Sequence, residues 1–237
     1  MITVFTSCYN QGCFLAEAIE SVLSQTYKDF EYLLYNDGST DNSWEIMQKY
    51  AKRDARIRCF NLEKQKNVGT VINKSFTDMK GDAWVWCPAD DIFLPNLLQV
   101  KIEENSIDSN CILYNDWVII DEKGNEGEKR ITLKGDKDFF INLVKMLSPI
   151  GFTGIFVPKI ILEKVGNFPE HLQFSEDFYW MLKAALVDNV YFKGIPQILH
   201  KKRRHGNRLT NRNSAYMIEN VKNIREQINL ILKEKQD

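Results

Sequence analysis

Two adjacent carboxylates, Asp90 and Asp91, end an apolar run in the stretch WVWCPADDIF. Like charges side by side at the end of a buried strand cost free energy unless a cation neutralises them. Hard divalent cations such as Mg²⁺ prefer oxygen ligands and often use only one or two carboxylates, with phosphate groups and water completing the shell. The pair therefore indicates a Mg²⁺ or Mn²⁺ site that also binds a substrate phosphate. The alternative is a solvated pair in which Asp91 caps the next helix.

Polar residues also follow the first two apolar runs of the chain. Ser7 and Tyr9 come after ITVFT, and Asn36 with Asp37 comes after EYLLY. Asp-Gly is a common turn pair, but a loop of this kind also presents a carboxylate and backbone N–H groups to a ligand. Both clusters are therefore candidates for ligand binding, and the Asp-Gly pair is weak support on its own.

Another acidic pair, Glu176 and Asp177, precedes the aromatic and apolar run FYWMLKAAL. One interpretation is a pair of acids that complements the positive end of a helix dipole. The other is a general base, which must reach the proton that it removes and then contributes about 10²–10⁴-fold to a rate. The spacing leaves both interpretations open.

The stretch from position 201 to position 212 contains six Lys or Arg residues and no acidic residue, and it also contains His205 and Gly206. A flexible basic segment is suited to close over a diphosphate, because Arg and Lys bind phosphate oxygens. Arg203 and Arg204 are the candidate contacts. A solvated face and a surface for anionic lipid headgroups are the alternatives.

The elements that must position these residues alternate between strand and helix. Strands are predicted at 2–6, 31–35, 57–60 and 83–87, with helical periodicity between them and after Pro95. Strands separated by such helices form a mainly parallel sheet with right-handed crossovers. Ligands bind at the carboxyl ends of the strands in open α/β sheets, which is where the first three polar clusters fall.

The second half of the chain is less regular. A strand is predicted at 112–120 and helices near 136–147, 159–165 and 176–186. Apolar positions keep helical spacing from residue 214 nearly to the end. This last helix has three open roles: packing on the domain, pairing with a second chain in a homodimer, or lying on the inner membrane face.

Composition sets the broad class. The 237 residues carry a net charge of −1, which gives no general attraction to nucleic acid. The five cysteines form no C-x-x-C pair and indicate reduced thiols. The chain shows no signal peptide and no apolar run of about 20 residues. We expect a cytoplasmic protein, with peripheral membrane contact left open.

Several nucleotide and hydrolase motifs are absent from the sequence. It contains no GxxxxGK[ST] phosphate loop, no GxGxxG after the first strand, no HExxH and no GxSxG. These absences argue against a P-loop ATPase, a nucleotide dehydrogenase, a zincin and an α/β-hydrolase.

The ordered set of motifs resembles the family 2 glycosyltransferases, which have the GT-A fold and include bacterial O-antigen, capsule and exopolysaccharide enzymes. The stretch TVFTSCYNQGCFLAEAIESVLSQTYKDFEYLLYNDGSTDNS is similar to the family's opening strand, helix and acidic nucleotide loop. KNVGTVINKSF resembles its N-x-G segment, and PADDIFLPNLL its metal-binding DxD region. GNFPEHLQFSEDFYWMLKA resembles the segment whose ED motif carries the base. The resemblance covers about residues 1–210.

The resemblance implies a role for each matching residue. It assigns nucleotide binding to Ser7, Tyr9, Asn36, Asp37, Lys66, Asn67 and Asp90. It assigns the metal to Asp90 and Asp91, with His205 in the looser match to the segment over the diphosphate. Asp177 would be the base, with Glu176 beside it at the acceptor or the donor sugar.

Two departures from the family pattern affect these roles. The usual D-D-G-S is Asn36-Asp37-Gly38-Ser39 here, so one carboxylate is an amide. The usual D-x-D-D begins with Pro88, which can neither ligate a metal nor accept a hydrogen bond from ribose. Ser7 and Cys8 also replace a common Pro-Thr, which is a milder change.

The resemblance implies an α/β, GT-A (Rossmann-like) fold with a mixed, mainly parallel sheet flanked by helices and a C-terminal helical extension. Residues 1–212 would be the transferase domain, divided into a nucleotide-sugar-binding half (1–105) and an acceptor-side half (106–212), and 213–237 the final helix. The implied activity is inverting, Mg²⁺- or Mn²⁺-dependent transfer from a nucleotide-diphosphate sugar, first of all a UDP-sugar. The acceptor would be a hydroxyl of a glycan or a lipid-linked saccharide.

Two other functions remain open. A sugar nucleotidyltransferase would also use an acidic metal site in an α/β domain, but it would release pyrophosphate instead of a nucleoside diphosphate. A catalytically impaired nucleotide-sugar-binding protein is the second alternative, and Pro88 is the residue that supports it.

Overall fold

The computed structural model describes residues 1–65, 67–106, 109–131, 152–172 and 175–206, together with 219, 221–224 and 226. Its strands are β1 Ile2–Cys8, β2 Phe30–Asp37, β3 Ile57–Leu62, β4 Ala83–Trp86, β5 Ile92–Phe93, β6 Cys111–Ile120, β7 Glu126–Arg130, β8 Phe156–Pro158 and β9 Tyr191–Arg203. Its helices are α1 Gly12–Leu23, α2 Ser43–Ala51, α3 Val68–Asp78, α4 Leu97–Asn105, α5 Lys159–Val165 and α6 Glu176–Ala185. The predicted α/β class is confirmed.

The strands in the described part of the chain form one mixed sheet with the order β3-β2-β1-β4-β8-β6-β9-β5, and β7 pairs with β6. The first half is parallel: β1 pairs with β2 and β4, and β2 with β3. The short strand β8 runs antiparallel to both β4 and β6. Strands β4 and β6 therefore run in the same direction, because each is antiparallel to β8. Strand β9 is parallel to β6 and so also runs in the direction of β4.

Apolar side chains cover both faces of this sheet. All eight residues of β2 are buried, as expected for a strand between two layers of helices. Phe5 and Leu33 belong to a core cluster with residues of α3, α5 and α6. Val4 and Leu34, their neighbours along the strands, belong to a second cluster with residues of α1, α2 and α4. The alternation of strand residues therefore separates two cores.

Strand β9 was not predicted, and it changes how the basic segment is interpreted. Gly194 and Pro196 lie inside it, where they weaken a strand pattern. The structure accommodates them by shifting the register with β6 next to Asp116, since proline is tolerated in strands at such irregularities. Residues 201–203 are thus part of a strand, and the expected flexible segment does not include them.

Three predicted elements differ from the structure or lie wholly or mostly outside the described residues. Helix α4 begins at Leu97 and not at Pro95, whose carbonyl oxygen accepts a hydrogen bond from Thr26 N–H at 2.8 Å. The helix predicted near 136–147 and most of the predicted C-terminal helix lie outside the described residues. Val221 and Ile224, which are described, are buried in the first core cluster. Among the residues that the structure places, no helix is long and apolar enough to cross a membrane.

Candidate active site

The carboxyl ends of β1, β2, β4, β6 and β9 lie at one edge of the sheet, because these strands all run in the same direction. The residues that follow those ends can therefore come together even though they are far apart in sequence. Asp37 ends β2, Asp90 follows β4, and His205 follows β9. This edge is the candidate active site.

Asp90 and His205 form the central pair of the site. His205 Nε2 lies 3.0 Å from Asp90 Oδ2, and the two residues are 115 positions apart in the chain. Both side chains are buried, at 5% and 2% exposed. The Phe14 ring of α1 packs on the imidazole with a centroid distance of 4.8 Å. A carboxylate and an imidazole are thus held in contact in a shielded position.

Asp91 has different partners from Asp90. Its Oδ2 accepts a hydrogen bond from Thr153 Oγ1 at 2.6 Å, and its Oδ1 accepts one from the Arg203 backbone N–H at 2.9 Å. The side chain is fully buried. Asp91 therefore ties the β4 loop to β9 and to the segment at 153, and it is neither a helix cap nor a solvated acid. The expectation that both aspartates present their oxygens to one metal does not match this arrangement.

The donor set of the pair suits a divalent cation that shares a diphosphate. No cluster of three or more His, Cys, Asp or Glu side chains arranged for a metal occurs in the described residues. A diphosphate-linked Mg²⁺ does not need one, since it keeps water and phosphate ligands. Asp90 Oδ2 and His205 Nε2 are hydrogen-bonded at 3.0 Å, so the two groups that would hold the ion lie side by side.

The two arginines of the basic segment lie in different environments. Arg203 is buried, and its Nε donates to the carbonyl oxygen of Asp90 at 3.1 Å. Arg204 is exposed, and its backbone N–H donates to Ile120 O at 2.8 Å. A direct diphosphate contact, as predicted for both, is therefore compatible with the exposed Arg204. The side chain of Arg203 is directed into the protein.

A second polar group lies at the ends of β1 and β2. Lys64 Nζ forms an ion pair with Asp37 Oδ2, and Gln65 N–H donates to Asp37 Oδ1 at 2.8 Å. The same ammonium lies 4.5 Å from the centroid of the Tyr9 ring, which is 45% exposed. An exposed aromatic face beside a buried carboxylate and a cation can stack on a base and hydrogen-bond to its edge.

Asn36 and Asn67, both predicted to contact the nucleoside, make bonds within the protein. Asn36 Nδ2 donates to Asn61 Oδ1 at 2.6 Å and so joins the ends of β2 and β3. Asn67 caps α3 by accepting from Thr70 N–H at 2.9 Å, and its amide donates to Glu170 O at 2.6 Å. These amides hold the loops of the site in place.

The remaining predicted nucleoside residues are Ser7 and Lys66. Ser7 is half-buried near the end of β1, in register with Tyr35 of β2. Its position agrees with the predicted backbone contact. Lys66 lies outside the described residues.

Glu176 and Asp177 begin α6, as predicted. Burial, with the Asp177 charge as a second cause, raises the pKa of Glu176 to about 8. Glu176 Oε2 has no hydrogen-bond partner among the described residues. Burial also raises the pKa of Asp177, while a hydrogen bond from Phe178 N–H at 2.7 Å and the charge of Lys202 oppose that shift. Burial thus disfavours the charged form of both acids, and the Lys202 charge offsets part of this effect at Asp177.

Three contributors to the site were missed at the level of sequence. Lys64 gave a weak signal, as one of the two lysines of KQK before the N-x-G segment. Thr153, the partner of Asp91, gave none because hydroxyls are common in loops. Glu17 contacts Arg203 from α1, and its exposed helical position looked like an ordinary solvated charge.

Comparison of the sequence with known proteins identifies a family and several related chains. The sequence model of "Glycosyl transferase family 2" matches residues 3–159. An uncharacterized glycosyltransferase of Rickettsia typhi is 29% identical over 219 residues, which cover 89% of this chain and 66% of that protein. One from Rickettsia felis is 30% identical over 86% of this chain and 34% of its own length. The chain thus spans about two thirds or less of these relatives.

Solved structures show the same fold at low identity. Staphylococcus aureus TarS in complex with UDP-GlcNAc superimposes with a TM-score of 0.73 at 18% identity, over 87% of this chain and 59% of that chain. The mannosyltransferase PcManGT from Pyrobaculum calidifontis, in complex with GDP-Man and Mn²⁺, gives a TM-score of 0.65 at 14% identity, over 87% and 57%. The predicted mixed α/β fold is confirmed by these likenesses.

Proposed function

The chain belongs to glycosyl transferase family 2, and on this premise we propose that it transfers a sugar from a nucleotide-diphosphate donor to a hydroxyl group of an acceptor. The observation that carries the proposal is the buried Asp90–His205 pair, 3.0 Å apart. This pair shares a sheet edge with the Tyr9–Asp37–Lys64 group. Nucleotide and diphosphate ligands need these two kinds of contact side by side.

We propose a UDP-sugar as the donor. TarS is described in complex with UDP and with UDP-GlcNAc, which supports uridine, whereas the complex of PcManGT with GDP-Man keeps guanosine as the second candidate. Tyr9 would stack on the base, and Asp37 would accept a hydrogen bond from its ring N–H. Arg204 would face the diphosphate from the end of β9.

Asp90 and His205 would hold the Mg²⁺ or Mn²⁺ ion, with Asp91 keeping their loop in place. When bound, the ion supplies Lewis-acid stabilisation of the charge on the leaving diphosphate, worth several kcal/mol. The protein would shield the ion from bulk water, because the side chains of Asp90 and His205 are buried and the Phe14 ring packs on His205. Pro88 stands in place of one acid of the family pattern, and it is not a member of the Asp90–His205 pair.

Asp177 would act as the general base. A carboxylate at the start of α6 takes the proton from the acceptor hydroxyl, which then attacks the anomeric carbon opposite the leaving diphosphate and inverts its configuration. The Lys202 charge favours the ionised form that a base requires. Glu176, with its raised pKa, would stay protonated and donate a hydrogen bond to a sugar oxygen. The acceptor would be a glycan or a lipid-linked saccharide in surface polysaccharide synthesis.

A ligand screen tests the proposal. The thermal stability of the purified chain is measured with UDP-, GDP- and dTDP-sugars, each with and without Mn²⁺. We expect one nucleotide to raise the melting temperature, and Mn²⁺ to increase that shift, because a ligand that binds only the folded state stabilises it. No stabilisation by any nucleotide contradicts the proposal. Release of pyrophosphate during turnover would favour a nucleotidyltransferase, and binding without turnover an impaired enzyme.

A further inference from the structure

Arg203, the last residue of β9, has an almost fully buried side chain, with 2% exposed. Its Nε donates to the carbonyl oxygen of Asp90 at 3.1 Å. Its Nη1 donates to the carbonyl oxygens of Asp121 and Glu122 at 3.2 and 3.0 Å, just after β6. Its Nη2 lies 2.5 Å from Glu17 Oε2 on α1. At least four N–H bonds of the guanidinium, out of five donors, are therefore used within the protein.

The backbone of Arg203 makes a further contact at the same place. Its N–H donates to Asp91 Oδ1 at 2.9 Å, and Asp91 Oδ2 accepts from Thr153 Oγ1 at 2.6 Å. The Phe14 ring covers the guanidinium, with 4.9 Å from Cζ to the ring centroid, and also contacts His205. Three other segments of the chain, α1 and the residues after β4 and β6, thus contact this one residue, and Asp91 links them to Thr153.

These contacts reach Asp90 directly, and they reach His205 through the chain and through the Phe14 ring. On one side the guanidinium binds the main chain of Asp90, and on the other the backbone of Arg203 leads within two residues to His205. A diphosphate could reach the guanidinium only if several of these hydrogen bonds were broken. Breaking bonds to a buried charge is costly, since the charge is then left uncompensated.

We propose that Arg203 is a positioning residue, which fixes Asp90 and His205 at their ligand spacing, and that it is not a contact of the donor diphosphate. The inference rests on the proposed metal role of that pair. Residues that orient metal ligands from outside the coordination shell typically change metal affinity or activity by about 10–100-fold when they are replaced. A lysine cannot substitute, because a single ammonium lacks the planar fork that spans three loops.

The test compares variants by their metal response. Arg203→Lys, Arg203→Gln and Glu17→Gln are compared with wild type, with Arg53→Gln as a matched control. Arg53 is exposed and follows α2, on the way to the opposite edge of the sheet. For each protein we measure the melting temperature alone, the affinity for UDP without metal, and the Mn²⁺ concentration that half-saturates the UDP-dependent thermal shift.

We expect the half-saturating Mn²⁺ concentration to increase about 10–100-fold in both Arg203 variants. Glu17→Gln, which removes the negative charge of one partner and leaves the carbonyl bonds, should give an increase of about threefold or more in the same direction. Arg53→Gln should match wild type. Metal-free UDP affinity should stay the same in every variant, because the guanidinium does not touch the diphosphate.

Three results would overturn the inference. An Arg203 variant with a lower melting temperature but an unchanged Mn²⁺ response would show a structural role alone. A tenfold loss of metal-free UDP affinity would show direct contact with the diphosphate. If the Arg203 variants do not fold, an unchanged Mn²⁺ response in Glu17→Gln decides against the inference. A wild-type protein that does not respond to Mn²⁺ contradicts the proposed function itself, and the inference with it.

Discussion

Lys202 of β9 acts electrostatically on Asp177 of α6, and its positive charge opposes the rise in the Asp177 pKa that burial causes. The ammonium also lies 5.9 Å from the Trp117 ring centroid of β6. Strand β9 therefore influences the candidate base and also leads to the proposed metal pair, since His205 follows three residues later. The charge of one strand residue influences the protonation of the proposed catalytic acid–base group.

Replacing Lys202 by Met should move the acidic limb of the pH–rate profile to higher pH. Without the ammonium the pKa of Asp177 rises further, and the base is active only when deprotonated. The rate near about pH 6 should therefore fall more than the rate near about pH 8.5. The measurement is kcat/KM against pH, with Lys52→Met as an exposed control. A profile that superimposes on wild type would contradict the coupling.

Replacing Asp177 by Asn should reduce turnover at least about 10²-fold, because the amide cannot accept the acceptor proton. Nucleotide affinity should remain nearly unchanged, since the proposed nucleoside contacts lie at the ends of β1 and β2. Turnover is followed by release of the nucleoside diphosphate, and affinity by calorimetry. Asp188→Asn, an exposed change of the same kind after α6, serves as the control. Unimpaired transfer by Asp177→Asn rules out the base assignment.

Replacing Asp90 by Asn or His205 by Ala should weaken Mn²⁺-dependent binding of the nucleotide. Each variant removes one of the two proposed protein ligands. We therefore expect the apparent Mn²⁺ affinity, measured by the Mn²⁺-dependent thermal shift, to fall about tenfold or more. Asp91→Asn should instead lower the melting temperature, since its oxygens hold Thr153 and the Arg203 backbone. Equal metal responses in wild type and Asp90→Asn would exclude the site.

Replacing Tyr9 by Ala should weaken nucleotide binding by about 1–3 kcal/mol, the usual value of stacking between a base and an aromatic ring. Tyr9→Phe keeps the ring face that Lys64 contacts and should bind nearly as wild type. Calorimetric titration with UDP measures both. Similar affinities for the Ala and Phe variants would show that the base does not stack there.

Glu176 should make the folded state less stable as the pH rises. Its pKa is 4.5 in the unfolded chain and about 8 in the folded protein, so the folded state binds the proton more tightly between these values. The contribution is fully present below about pH 4.5 and is lost as the pH rises through about 8. Glu176→Gln should therefore lose less stability than wild type between about pH 5.5 and 8 in urea unfolding. The same loss in both proteins would contradict the raised pKa.

Much of the fold followed from the sequence because local and global signals agree in the first half. The strands Ile2–Cys8 and Phe30–Asp37 are buried runs, and the helix between them shows clear apolar periodicity. Position at a strand end was then enough to select Asp37 and Asp90 as candidates. These inferences needed only the direction of neighbouring strands.

The rest depended on contacts that no local pattern records. Strand β9 forms because it pairs along β6, which overrides the glycine and proline in its sequence. Asp90 and Asp91 differ because Asp90 bonds to the residue at 205, whereas Asp91 bonds to residues at 153 and 203. Two adjacent identical residues do not reveal this difference in the sequence. Arg203 was expected at the diphosphate because a basic run does not reveal which of its charges is buried.

The distance along the chain between Asp90 and His205 also has a consequence for biosynthesis. The carboxylate leaves the ribosome 115 residues before the imidazole. At about 5–20 residues per second, this interval lasts roughly 6–23 s. During that time the strands β1 and β2 and the loops that follow them have already been made, but the second proposed ligand has not. A nascent chain therefore contains the residues of the proposed nucleoside pocket well before residue 205, and the proposed cation site is complete only after His205 has been made.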